Sequence, residues 1–549
     1  MKQKILKVQA EDNLIVAIAD LKKGESVTLD GVSYTIAEDI PTKHKFAERH
    51  FDTGDRIVMY GVTIGKALKA IPQGARITID NVGHSTDGYA ERQAKLDWTR
   101  PDISRFADRT FFGYHRADGS VGTRNYWLVV PLVFCENRNI KTIEEIMLSK
   151  LGYAPEPKQI IDIDALINAY QQGADTDALL SSDVITDGRS EESSRVFSNV
   201  DGIKFLVHQG GCGGIRQDSE VLCRLLAGYI AHPNVAGATV LSLGCQNAQI
   251  PILEGALAAI APDMDKPVYM LEQQQSVSER DFLAEAVKKT FVGLTIANKI
   301  ERKPAPLKHL TLGLECGGSD GFSGISANPA LGYTSDLLVA LGGKAILSEF
   351  PELNGVEQEL INRCETDDQA EKFATIMSRY AQRAEDAGSG FHMNPSPGNI
   401  KDGLITDAMK SAGAAKKGGT SPVKAVLDYT EQAESPGLNL LCTPGNDVES
   451  TTGLAGSGAN LIVFTTGLGT PTGNAITPTL KMASNTKLAE RMSDIIDINA
   501  GTIISGEDSI QTKGEELLEL LISVANGEQT KAEILGQDDF IPWKRGISL

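Results

Sequence analysis

The sequence predicts an α/β protein: a small β-rich N-terminal module followed by Rossmann-like α/β domains with mainly parallel sheets. Three observations carry this reading. Short strand-like runs separated by turns fill residues 1 to 90. From Asn125 the texture changes to continuous apolar runs that end in Gly, Cys or Asn and lead into helical patterns. Such runs mark parallel strands buried on both faces. The chain has 549 residues, too many for one ordinary core, so about two to four domains are expected.

In the small module, Ile5–Val8 and Val27–Leu29 are strand-like, with Leu29-Asp30-Gly31 as a turn. Arg56–Tyr60 and Ala75–Ile79 add two more strands. Residues 85 to 110 are polar and without period, which reads as a linker. The expected division is a module at 1–90, a linker at 91–110, an α/β domain at 111–300 and a C-terminal α/β domain at 301–549. The strands expected in the body are Trp127–Phe134, Ile203–Val207, Gly237–Leu243, Leu310–Leu314, Lys344–Leu347, Leu438–Leu441 and Asn460–Phe464.

Composition narrows the function. A formal net charge of −19 argues against nucleic acid or an anionic membrane as partner, because both demand a basic surface. An anionic substrate would then need a local cluster of Lys and Arg. No run approaches the roughly 18 apolar residues of a membrane span, and the start shows no apolar signal core. The expected location is the cytoplasm. Seven cysteines in such a chain are not a disulfide scaffold, so those in glycine turns suggest metal ligands or reactive thiols.

In parallel sheets, ligands sit at the carboxyl ends of the strands. Cys135, Cys245 and Cys316 each follow an apolar run, and Cys212 falls four residues past His208. Thiolates on separate loops can hold iron or zinc, and three of them leave a position open for substrate. The plainer alternative is a set of small buried residues beside glycine turns. Cys223, Cys364 and Cys442 lack the pattern and read as structural. The loop from Cys316 to Gly332 offers Ser319, Asp320 and Asn328, and the loop from Asn394 offers Asn399. Such loops present amides and side chains to an anionic or polyhydroxylated ligand. Lys401, Lys410, Lys416 and Lys417 follow, and no nucleotide-hydrolysing phosphate loop is present. His44 stands between Lys43 and Lys45, a setting suited to anion binding, metal ligation or proton transfer. Arg116 and Arg124 flank a turn and suit two-point binding of a carboxylate, or equally the pinning of the linker to the next domain.

Together these motifs resemble one family, the altronate and galactarate dehydratases, and lie closer to the altronate side. In the small module the resemblance rests on Asp12-Asn13 and Lys43-His44-Lys45. In the body it rests on GYHRADGSVGTRN at 113–125, the His208–Cys212 loop, Leu243-Gly244-Cys245, ECGGSDGFSGISANP at 315–329, NPSPGN at 394–399 and FTTGLGTPTGN at 464–474. Two departures bear on substrate and metal geometry. Residues 76–81 read RITIDN where the family carries a histidine-rich strand end, with His84 close by, and Gln246 follows Cys245 where Glu is usual.

The resemblance implies a SAF module, and loss of water from a sugar acid aided by iron (Fe2+), with Mn2+ or an iron–sulfur cluster as alternatives. For altronate the product is 2-keto-3-deoxygluconate, a step of galacturonate breakdown. The C2 proton is weakly acidic and hydroxide leaves poorly; a Lewis acid eases both, with a general base and a general acid. The expected metal ligands are Cys212, Cys245 and Cys316, with Cys135 as a fourth. His44 and His208 are the acid–base candidates. Lys45, Arg116, Arg124 and Lys401 are the carboxylate partners, and Ser319, Asp320, Asn328 and Asn399 the remaining substrate contacts. The partner is a small anionic sugar acid, and a homo-oligomer is the default for a metabolic enzyme of this size. Other readings are the same chemistry on galactarate or a sulfonated hydroxy acid, a non-catalytic sugar-acid sensor, and a thiol redox protein.

Overall fold

The computed structural model describes residues 3–93, 96–153, 159–161, 163–187 and 195–546. The N-terminal module is built from antiparallel pairs. Leu14–Ala17 lies between Ile5–Leu6 and Lys45–Ala47, Ser26–Leu29 pairs with Val32–Thr35, and Val62–Ala67 lies between Arg56–Met59 and Val82–Gly83. Side chains alternate across a strand, and here the two faces have different partners. Ile15 and Ala17 pack with Val27, Tyr34 and Phe46 inside the module. Leu14 and Val16 join the large core of the C-terminal domain. The strand expected at Ala75–Ile79 is reduced to one bridge, Arg76 opposite Phe46, because the chain turns away at Thr78, whose amide is taken by the Asn81 side chain.

The segment after the module is a strap held to the C-terminal domain. Tyr89 meets Ser378, Arg92 pairs with Asp367, and Arg105 and Arg109 reach Glu515 and Glu519. A small antiparallel ribbon follows, with Thr110–His115 between Val121–Gly122 and Arg302–Pro306.

Two parallel sheets form the body. The first has four strands in the order Gly202–Phe205, Tyr126–Pro131, Val235–Ser242, Val268–Glu272. The second has seven, in the order Val423–Leu427, Gly437–Leu441, Lys344–Leu347, Thr311–Cys316, Leu461–Thr466, Thr479–Ala483, Ile498–Asn499. Their central strands, Tyr126–Pro131, Val235–Ser242, Thr311–Cys316 and Leu461–Thr466, are buried at every position, as continuous apolar runs require. In the seven-stranded sheet the order reverses at Thr311–Cys316: Lys344–Leu347 lies on one side and Leu461–Thr466 on the other. That is the topological switch point at which open α/β sheets bind ligands, and Cys316 is the last residue of the strand there. Among the described residues no helix is long and apolar enough to cross a membrane.

Candidate functional site

At that switch point three carboxyls, two ammonium groups and a thiol are buried together. Cys316 Sγ lies 3.4 Å from Glu349 Oε2 and 3.3 Å from Glu352 Oε2. Lys417 Nζ donates to Glu349 Oε2 at 2.7 Å, and Lys410 Nζ to Glu352 Oε1 at 2.5 Å. Glu315 Oε2 accepts from Ser450 Oγ at 2.6 Å and Ser348 Oγ at 3.0 Å. Glu349 and Glu352 come from the turn after Lys344–Leu347; Glu349 itself is left-handed, φ 65°, with its amide held by Thr443 Oγ1. The remaining oxygens of Glu315 and Glu349 have no hydrogen-bond donor.

Electrostatics assigns the protons. Burial, and then the Glu349 charge, raise the Glu315 carboxyl well above its ordinary range, so it holds its proton. Burial opposes ionisation of Glu352, but Lys410 and Lys417 outweigh it and hold that carboxyl low. Both lysines stay charged, since the acidic groups outweigh the cost of burying them. Asp447, half-buried at the start of the helix Asp447–Gly456, is pushed up to about 7 by burial and by the charges of Glu349 and Glu352. A Cβ at Gly317 would overlap its carboxylate, so the glycine lets Asp447 reach this cluster.

Cys316, Glu349 and Glu352 are the one group of three ligand-type side chains closing to within 4.8 Å among the described residues. The set nonetheless fits a dication poorly. Each carboxylate already carries an ammonium ion, and a metal there would face both at contact distance. With two ammonium donors, a protonated carboxyl and a carboxyl poised near neutrality, the cluster suits proton transfer and stabilisation of developing negative charge.

Three family models match nearly the whole chain. They are the altronate/galactarate dehydratase SAF domain at residues 3–85, the D-galactarate dehydratase/altronate hydrolase second domain at 113–298, and the D-galactarate/altronate dehydratase C-terminal domain at 307–548. The chain is 32% identical to altronate dehydratase of Escherichia coli over 545 residues, 99% of each chain. The chain belongs to the altronate/galactarate dehydratase family. Altronate dehydratase of Bacillus subtilis is 33% identical over 99% of each chain. Galactarate dehydratase (L-threo-forming) of Escherichia coli is 31% identical over 95% of this chain and 93% of its own. As a member of this family the protein is a hydro-lyase, a dehydratase of sugar acids.

Several residues expected to act in this dehydratase are instead committed to holding it together. Arg124 spends its guanidinium on Glu533 and on the carbonyls of Thr123, Val524 and Glu528. Arg116 binds Pro233 O, Asn125 Oδ1 and Arg124 O. Arg124 ties its strand to the C-terminal domain, and Arg116 fixes the turn within its own domain. His208 is buried with both nitrogens engaged: Nε2 meets Pro131 O at 2.7 Å and Nδ1 accepts from Gly210 N at 3.1 Å, so it has no nitrogen free for proton transfer. Asp320 accepts from Lys43, Ser323, Ser484 and Asn485. Asn328 is taken by Gly413 O and Thr465, and Asn399 by Ser319 O and Ser396. Lys45 is buried against Gly403 O, and burial pushes it down to about 7. Ser319 is buried, with its carbonyl taken by Asn399. The side chains of Asp320, Asn328 and Asn399 are thus taken up within the fold, because a buried polar group without a partner is costly.

His44 keeps a free function: Nε2 meets Lys401 O at 3.1 Å and buried Nδ1 has no partner. Lys401 itself is exposed. Cys135, Cys212 and Cys245 stand on loops of the four-stranded sheet and Cys316 ends a strand of the seven-stranded one, and among the described residues these cysteines form no group of three ligands closing to within 4.8 Å. Glu315, Glu349, Glu352 and Asp447 were not singled out from sequence, and Lys410 and Lys417 were noted only as following the Asn394 loop. Glu349 follows a buried strand just as the cysteines do, and that signal was present.

Proposed function

We propose that this chain dehydrates D-altronate to 2-keto-3-deoxy-D-gluconate, in hexuronate breakdown, at the buried Cys316–Glu–Lys constellation. The observation that supports it best is this constellation itself, at the switch point of a chain similar end to end to two altronate dehydratases. Asp447, half-buried beside exposed Gly445 and Asn446, is the group placed to take the C2 proton. As the C–H electrons form the C2–C3 double bond, negative charge grows on the substrate carboxylate, and Lys410 and Lys417 stabilise it. The C3 hydroxyl leaves as water with the proton that Asp447 took from C2, which returns Asp447 to its carboxylate, and the enol becomes the 2-keto acid. Glu315 acts through Glu349, keeping one proton in the pair, and is a positioning residue.

The test is turnover of D-altronate, with galactarate beside it, on anaerobically purified protein given ferrous iron, with and without chelator. Formation of the 2-keto-3-deoxy acid from altronate is expected. No product from altronate refutes the reading. A sulfonated hydroxy acid belongs in the same panel, since the (2R)-sulfolactate sulfo-lyase subunit beta of Chromohalobacter salexigens is 28% identical over 438 residues.

A further inference from the structure

After the helix Asn137–Leu151 the chain makes an excursion and returns at Val196, whose amide donates to Leu151 O at 3.1 Å. The excursion holds a two-stranded antiparallel pair, Gln159–Ile161 with Ile185–Asp187, and two short helices, Ile163–Gln171 and Thr176–Leu180. Neither helix has a buried residue. The first is nevertheless amphipathic: Ile163, Leu166, Ile167 and Tyr170 fall at i, i+3, i+4 and i+7, on one face. Ile163, Ile167 and Tyr170 are exposed, Tyr170 by 71%, and so are Leu180 and Ile185 elsewhere in the excursion. A helix of 9 residues is too short to hold itself in water, and a lone two-stranded pair is marginal as well. The excursion thus carries one side of a core and needs a cover.

A second bare apolar row begins at the root of the excursion. Phe197, next to Val196, packs edge-on against Phe291 at 5.3 Å between ring centroids. Phe291 lies on the helix Glu279–Ala297, where Phe291, Val292 and Ile296 are exposed on one face. Lys288 precedes this row by one turn and Lys299 follows it, and both are exposed. The acids of that helix come before the row, with Glu279 paired to Arg138 and Glu285 to Lys289. The excursion has the opposite sign. Residues 159–187 contain no Lys, Arg or His, and they carry Asp164, Asp175, Asp177 and Asp183.

We propose that the helix Ile163–Gln171 of one copy of this chain packs on the Phe291–Ile296 row of a second copy, and the reverse, so that the protein is a twofold dimer joined by exchanged arms. Within one chain both surfaces stay open to solvent, so the arm does not cover its own row. In the dimer an apolar helix face meets an apolar row, and the acidic flank of one meets the lysine flank of the other. Because root and row adjoin at Phe197 and Phe291, a twofold axis beside them gives each arm a short crossing. The same patch then serves both copies, as an isologous contact requires. Two chains of net charge −19 repel, and Lys288 and Lys299 offset that repulsion where the acidic arm lands. The pairing is independent of the dehydratase chemistry.

The test is sedimentation velocity on the full chain over a dilution series, with carbodiimide coupling of carboxylates to lysines alongside. A wild-type dimer is expected, and a covalent dimer band whose peptides join arm aspartates to Lys288 or Lys299. Ile167→Asp, Tyr170→Asp and Phe291→Asp each raise the dissociation constant of the dimer by about 30-fold or more. These side chains are exposed in the single chain, so the circular dichroism of each variant stays that of wild type. The proposal is overturned by wild-type protein that is monomeric at every concentration, or by a dimer that all three variants leave intact. Links between arm aspartates and Lys288 or Lys299 in the monomer band would also overturn it, because they lay the arm on its own row.

Discussion

Arg124→Met separates an anchor for substrate from an anchor for the fold. The native guanidinium makes five hydrogen bonds, two of them to Glu533 at 2.7 and 2.9 Å, and the paired side chains are 3% and 10% exposed. Removing one partner of a buried pair costs about 3–5 kcal/mol, because the other charge is left uncompensated. Glu533 would keep only the Thr530 amide and hydroxyl and the Tyr126 hydroxyl. A loss near the middle of that range is about a thousandfold in the folding equilibrium. Urea denaturation of the full chain reads it as a lower midpoint, while KM for the sugar acid stays unchanged where the protein is folded. Arg124→Met combined with Glu533→Leu recovers most of the loss, since replacing both partners by apolar groups is close to neutral. An unchanged midpoint with a tenfold higher KM would refute the reasoning and return Arg124 to the substrate.

Lys417→Met leaves Glu349 buried without its ammonium; kcat should fall about 10²–10³-fold, with a stability loss of about 3–5 kcal/mol, and wild-type kcat in a stable Lys417→Met would disprove the role. Asp447→Asn should abolish the limb of the rate profile near pH 7 that the raised carboxyl predicts; a profile identical to wild type removes Asp447 from proton transfer. Burial lowers His208 to about 4 and His232 to about 3, against 6.5 in the unfolded chain. Between those values the unfolded state binds protons that the native state does not, so stability is full above pH 6.5 and falls as pH drops toward 3. The loss is ~3 kcal/mol for His208 and ~5 kcal/mol for His232, and a urea midpoint constant from pH 7 to 4 would contradict it.

The parallel sheets were legible because strands such as Tyr126–Pro131 and Leu461–Thr466 are apolar throughout, which few other elements tolerate. The carboxyl-end rule found the cysteines and by the same logic reaches Glu349, two residues past Leu347. Carboxylates are too common on surfaces for one of them to stand out, and what distinguishes Glu349 and Glu352 is burial against Lys410 and Lys417, about sixty residues away in the chain. Arginine turns read two ways for a related reason. A guanidinium placed to bind a carboxylate and one placed to bind carbonyls look alike until the carbonyls of Val524 and Glu528 arrive from the far end of the chain. His208 misled because a histidine in a glycine loop is equally a catalyst or a staple, and two nearby backbone groups decide between them.

The strand Leu14–Ala17 belongs to two cores, one on each face. Translation completes this strand long before the ribosome makes Leu312 and Leu314, against whose core Leu14 and Val16 are buried. The nascent module therefore waits with a greasy flank uncovered, and its maturation is timed by the synthesis of the last domain. In a calorimeter the two should melt as a single cooperative block. Excising residues 1–90 would strip the larger core of Leu14 and Val16, so truncation reports on solubility before it reports on catalysis.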